Sequence, residues 1–292
     1  MTLWIFVLAR IVSNPVSNVF QKLLTRSGAA PLFIIFATFG FLGLACFPFI
    51  PWLTQSLERR FWTDITLCAF LAVAGNATLV AALKRSDLSI LGPINSYKAA
   101  VSLIPGIVFL HEIPTLWQLA GIILIVGGSL VVVGQGQGIR SVNPGRLIRE
   151  RGVQLRFAAL VFSAVEAIFL KRALIASSPF TTFAYWALIG FCWAIPAVYC
   201  SNGRVRIRSE WERLKVNRWN YLLLALTTGI MQLSTLETLR FFAVGPALAL
   251  FQTSTILTVV LGRTVFIEKH FLRRILGSLV MILGAIIIII FR

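Results

Sequence analysis

The feature that most limits this chain is a recurrence of apolar blocks about as long as a bilayer is thick, separated by polar links. An α-helix rises ~1.5 Å per residue, so about 20 residues cross a hydrocarbon core of roughly 30 Å. Five blocks of that length run over 3–24, 31–50, 64–83, 88–110 and 115–134. Five more run over 155–175, 181–200, 220–239, 244–266 and 271–291. Each block is continuous, whereas barrel strands alternate over roughly ten residues, so helices are expected. The bulk numbers agree: 58% of residues are hydrophobic and only 13% are charged, against about 45–50% and ~25% in a soluble domain. Met1 to Ala9 is apolar at once, lacks a basic leader and is followed by no clean small-residue cleavage site. It reads as the start of the first span, not as a cleaved signal.

The net charge of +17 admits two readings. One is a basic surface for nucleic acid. The other is a membrane protein whose cations crowd one side of the bilayer. Lys and Arg are scattered through short links between apolar blocks, which favours the second reading and no nucleic-acid partner. Cys46, Cys68, Cys192 and Cys200 lie inside apolar blocks with no C-x-x-C spacing and read as small buried hydrophobes. His111 and His270 are too few and too distant in sequence to suggest a zinc site. No Gly-rich loop precedes a helix, and no nucleophile–base set sits near a polar cleft. Catalytic residues, a metal and a cofactor are therefore not expected.

The two sets of five blocks repeat. Glu112, Gly121 and Gly128 recur 156 residues later as Glu268, Gly277 and Gly284. Gly92-Pro93 and Gly245-Pro246, 153 residues apart, open the fourth block of each set. Lys22 and Lys171 close the first blocks. The expected organisation is a first repeat over 1–138, a link over 139–154 and a second repeat over 155–292. An odd number of spans flips the second repeat, giving an inverted pair about an axis in the membrane plane.

On the two segments that run from Gly92-Pro93 through Glu112, Gly121 and Gly128, and from Gly245-Pro246 through Glu268, Gly277 and Gly284, the chain resembles the drug/metabolite transporter superfamily, in particular its EamA-type ten-helix members. The resemblance covers nearly the whole chain. It implies an all-α integral membrane fold of ten transmembrane helices, two inverted five-helix repeats around a central cavity, with the fifth and tenth helices at the periphery. It says little about substrate.

Charge sets the expected orientation. Six Lys and Arg fall in links on the side of the termini and nineteen on the other side, with Arg156 among the nineteen. The positive-inside rule then places the link between repeats in the cytoplasm and both termini outside, in a plasma membrane such as a bacterial inner membrane. The basic stretch 201–219 reads either as an amphipathic helix on the headgroups or as a solvated loop.

Charges at bilayer depth are costly, so they mark candidate sites. Three lie well inside blocks: Arg10, Lys98 and Glu166. Arg10, Asn14, Asn18 and Gln21 recur at spacings of four, four and three, with Ser13 and Ser17 beside them. Such spacing makes one polar face of a helix, which either lines a cavity or bonds to neighbouring helices. Asn95, Ser96, Tyr97 and Lys98 follow Gly92-Pro93, and the 156-residue offset sets Gln252, Thr253 and Ser254 opposite Ser96, Tyr97 and Lys98. Lys98 has a purely structural alternative, an ion pair with Glu166. Ser163 lies three residues before Glu166 and shares its face. Glu166 is either a proton carrier, if desolvation dominates, or a fixed counter-charge to Arg10 and Lys98. Glu237 and Arg240 read as a surface pair, and Glu112 and Glu268 as helix-start charges. Gly121 with Gly128, and Gly277 with Gly284, read as faces for close helix packing.

The candidate binding set is Arg10, Asn14, Asn18, Asn95, Tyr97, Lys98, Ser163, Glu166, Gln252 and Ser254, with Glu166 the proton-coupling candidate. Trp186, Tyr185 and Tyr97 offer aromatic faces. Two cations and one acid suit a small anionic or amino-acid-like metabolite. The expected function is a secondary transporter exporting such a solute by alternating access, as a monomer or weak dimer. The alternative is a lipid-headgroup flippase of the same fold. A membrane enzyme is disfavoured by the missing catalytic set.

Overall fold

The computed structural model describes residues 2–53, 57–86, 91, 94, 97–111, 113–133, 150–266 and 271–291. Among them the structure is helical, with no strand. The first repeat holds α1 (Thr2–Arg26), α2 (Pro31–Cys46), α3 (Arg59–Arg85), α4 (Tyr97–Leu110) and α5 (Leu116–Val133), with a 3-10 turn over Phe47–Trp52 after α2. The second holds α6 (Arg151–Ile175), α7 (Pro179–Val216), α8 (Arg218–Leu239), α9 (Val244–Gln252), α10 (Ser254–Phe266) and α11 (Phe271–Ile290). Among the described residues, six helices are long and apolar enough to cross a membrane: α1, α2 with its 3-10 turn, α3, α6, α7 up to Tyr199, and α8. The chain is an integral, multi-pass membrane protein.

Local sequence explains several helix starts. Pro31 and Pro179 each occupy the first turn, where a missing N–H costs nothing and φ is already helical. Ser178 caps α7 by accepting from the Thr181 N–H at 3.1 Å. Ala30 has no side chain to cap α2, and the buried Glu210 carboxylate takes its N–H instead, at 3.0 Å. The ninth apolar block is broken. α9 ends at Gln252 and α10 starts at Ser254, while the Thr253 hydroxyl and N–H both turn back to the Leu250 carbonyl. The break falls on the polar triad, not on Gly245-Pro246, which lies buried within α9.

Basic stretch 201–219 is helical rather than a loop, with α7 running on to Val216 and α8 starting at Arg218. Yet α7 is not straight. Phe36 of α2 packs against both Phe191 and Trp211, with ring centroids 5.2 and 6.2 Å away. Twenty residues of straight helix would separate those two rings by about 30 Å. The end of α7 therefore bends onto α2, and its membrane-spanning part closes near Tyr199.

Packing mixes the repeats. The first helix of each packs on the third helix of the other, α1 on α8 and α6 on α3, while α2 faces α7 and α5 faces α11. The main core gathers Phe33, Ile34, Phe61, Ile65, Ile168, Trp186 and Tyr221 from helices of both repeats. A smaller cluster of Val19, Leu83, Leu91, Val153 and Leu160 joins α1, α3 and α6 near the opposite end from the α6 C-terminus. Gly92, Pro93, Glu112, Glu268 and the link 134–149 lie outside the described residues.

Candidate functional site

Helix α1 supplies one wall of a polar cavity of about 90 Å³ at the centre of the bundle. Arg10, Asn14 and Asn18 face it from α1, Lys98 from α4, and Ser163 and Glu166 from α6. These six candidates from three sequence-distant helices are thus brought together. The α1 polar face both lines the cavity and bonds to neighbouring helices. Arg10, Asn14 and Asn18 line the cavity, while the Ser17 hydroxyl lies 3.2 Å from that of Thr228 and ties α1 to α8.

Arg10 is held from two sides. Its Nε donates to Thr235 Oγ1 at 2.7 Å, and its guanidinium lies 4.8 Å from the centroid of the Phe251 ring. A planar guanidinium suits both contacts, the fork for the hydroxyl and the face for the ring. Its Nη1 is buried and has no partner. Gln232 Nε2, which also lines the cavity, shares that condition. Glu166 lies within electrostatic range of Lys98 and Arg10 and faces the indole N–H of Trp186. The Lys98–Glu166 ion pair weighed from sequence is not among the contacts within 4.0 Å of the described residues.

Arg156 corrects the charge inventory. Its position in sequence suggests a link on the cytoplasmic side. Instead it is buried in the second turn of α6, donates from Nε to the Leu91 carbonyl at 2.9 Å and lines the cavity. The apolar block starts at Leu155, but α6 starts at Arg151, so Arg156 is more than one turn inside the helix. The cavity therefore carries Arg10, Lys98 and Arg156 against Glu166, three cations to one acid among the described residues.

Other candidates lie apart. Tyr97 packs its ring 6.4 Å from Phe157 and does not line the cavity. Gln252 Nε2 donates within its own helix to the Leu248 carbonyl at 3.1 Å. Ser254 reaches the site only through Asn14, whose Nδ2 donates to its hydroxyl at 3.2 Å. Asn95 and Ser96 lie outside the described residues. Trp186 lines the cavity, whereas Tyr185 stacks edge-on with Trp62, 4.8 Å away. Glu237 and Arg240 form the expected pair at 3.2 Å.

Sequence reasoning missed Asn76, Gln232 and Thr235, which also line the cavity. A signal existed for two of them. Thr228, Gln232 and Thr235 are spaced four and three apart on α8, the same kind of stripe as in α1. Asn76 is the one amide side chain in its apolar block, and nothing in the sequence assigns its direction.

The EamA-like transporter family model matches the chain twice, over residues 2–134 and 150–290. No curated protein matches it. A solved structure described only as "Crystal structure of protein" superposes with a TM-score of 0.65 over 97% of this chain and 96% of its own, at 15% identity. At that identity the likeness is one of fold.

Proposed function

The chain belongs to the EamA-like transporter family, and on that premise we propose that it is a secondary active transporter exporting a small anionic or amino-acid-like metabolite by alternating access. As a family member it is a membrane transporter of small solutes. The proposed frame is ten spans in two inverted five-helix repeats, with both termini outside and the cavity of Arg10, Asn14, Asn18, Lys98, Ser163 and Glu166 as the binding site.

One observation carries the choice of solute. Arg10 Nη1 and Gln232 Nε2 are buried donors without partners, and both residues line the cavity. A buried donor left unmade costs about 1–3 kcal/mol, so two facing one cavity favour a ligand rich in acceptors. A carboxylate offers ~four lone-pair sites and no proton of its own. The surplus of cations over acid supports the same class. In an amino-acid-like solute, Glu166 faces the ammonium group while the donors meet the carboxylate.

Glu166 has a second proposed task. In an exporter driven by a proton gradient, a single buried acid beside the solute site exchanges a proton for cargo. In reconstituted vesicles Glu166→Gln then loses the dependence of transport on the imposed pH difference while solute binding persists. Intact pH dependence in that variant sinks the proton role and leaves Glu166 a counter-charge.

The test of the solute class is a thermal-unfolding screen of purified protein against amino acids, organic anions, sugar phosphates and quaternary amines. Stabilisation by carboxylates that is lost in Arg10→Ala and in Lys98→Ala is expected. Hits confined to quaternary amines overturn the anionic class. Hits indifferent to both substitutions remove the cavity from the site. Response to lipid alone, abolished by those same two substitutions, favours the headgroup flippase.

A further inference from the structure

A second concavity lies away from the polar cavity and shares no lining residue with it. It is an apolar groove of about 350 Å³ between α2 and α7, and Phe36, Leu44, Phe47, Leu188, Trp211 and Leu214 are among its walls. The bend in α7 creates it. Leu188 belongs to the spanning part of α7, and Trp211 and Leu214 belong to the part folded onto α2. Along α2 the groove runs from Phe36 to Leu44, about 12 Å of helix rise, and none of its lining side chains is charged. Leu44, Phe47 and Trp211 are all exposed at its rim.

Trp211 and Leu214 turn into the groove, while Arg208 and Lys215, seven residues apart and so on one face of the same turns, are exposed, with Lys215 Nζ paired to the exposed Glu212 at 3.0 Å and Arg208 left to face outward. The segment is fastened at this level: Glu210 accepts from the Ala30 N–H at 3.0 Å, and Arg213 Nη1 donates to the Ser27 carbonyl at 3.2 Å. A fixed basic turn thus stands at the mouth of a hydrocarbon slot. That is the pattern of an amphipathic segment at the headgroup level, apolar side down and cations toward anionic lipid.

We infer that this groove binds one anionic phospholipid, an acyl chain lying along α2 and the phosphate beside Arg208 and Lys215. The lipid wedges the bent end of α7 against α2. The inference stands apart from the solute cavity, because Arg10, Lys98 and Glu166 take no part in it.

The test uses the full chain, delipidated in detergent, with phosphatidylglycerol or phosphatidylcholine of identical dioleoyl chains added back. Phosphatidylglycerol should raise the melting temperature about 2–4 °C more than phosphatidylcholine and remain bound in native mass spectrometry. The preference should vanish in Arg208→Gln with Lys215→Gln, two exposed positions whose loss spares the core. Leu44→Trp, which covers the groove from its exposed rim, should reduce retention of both lipids. Arg10→Ala should leave the lipid response unchanged, which separates this site from the transport cavity. Equal response to the two lipids, or a preference that survives the double substitution, overturns the proposal.

Discussion

A Cβ built on Gly128 of α5 would stand 2.6 Å from the carbonyl oxygen of Gly277 in α11. The partner contact is its mirror in sequence: a Cβ on Gly284 would stand 2.6 Å from the oxygen of Gly121. The 156-residue offset converts each contact into the other, as a two-fold relation between the repeats requires. Two backbones this close admit no side chain between them.

Gly128→Ala and Gly284→Ala should therefore each destabilise the protein by about 1–3 kcal/mol, because the obstructing atom is backbone and the helices must part. Gly127 is the control. A Cβ there meets nothing within 4 Å, so Gly127→Ala should be neutral or slightly stabilising, helix propensity gaining up to ~1 kcal/mol. Thermal unfolding in detergent reads all three. Equal losses at 127 and 128 would refute the close-packing account.

The Arg10–Thr235 bond predicts a graded effect on binding. Thr235→Val keeps shape but removes an acceptor, at a cost of about 1 kcal/mol or roughly fivefold in affinity. Arg10→Lys keeps charge but loses the fork and much of the stacking on Phe251, and should cost more, about tenfold. The affinity of a screened solute measures both. A Thr235→Val loss larger than that of Arg10→Lys would show that the hydroxyl meets the solute itself.

Asp64 of α3 and Arg172 of α6 form a part-buried pair at 3.1 Å, with the guanidinium also within 6 Å of the Phe109 and Phe169 rings. Beside it, Lys171 donates to the Phe242 carbonyl at 2.8 Å and joins the end of α6 to the α8–α9 turn. Removing Asp64 leaves the part-buried Arg172 charge without its counter-ion, at about 1–3 kcal/mol. Asp64→Ala should thus destabilise more than Asp64→Ala combined with Arg172→Ala. A double variant at the sum of the singles would mean that the pair contributes no coupling.

Glu210 is the cap that α2 lacks locally. Glu210→Ala should cost about 1–2 kcal/mol, the usual loss of an N-terminal cap. Glu210→Gln retains an acceptor but loses the charge that favours the positive end of the helix, so it should recover part of the loss. If Gln is as damaging as Ala, the ionic contact to Arg213, 4.0 Å away, outweighs the cap.

Much of this was legible in the sequence, for one physical reason. Bilayer-length apolar runs and glycines at fixed spacing are local properties, and local properties survive any packing. They determined an all-helical membrane protein, its two related halves and the glycine faces of α5 and α11. They also selected Arg10, Asn14, Asn18, Lys98 and Glu166, because charge and amide groups are rare inside apolar blocks, and Ser163 by its three-residue spacing from Glu166.

What only the tertiary structure decided was direction. Hydropathy placed the start of α6 at Leu155, and four added residues of helix moved Arg156 from link to cavity. Tyr97 and Lys98 are neighbours in sequence, yet helical geometry turns them about 100° apart, and only Lys98 faces the cavity. Gln252 donates within its own helix, while Gln232, between Thr228 and Thr235 on α8, lines the cavity. Each of these depends on the rotation of a helix about its axis. That rotation is set by the neighbours it packs against, α1 on α8 and α3 on α6, all of them distant in the chain.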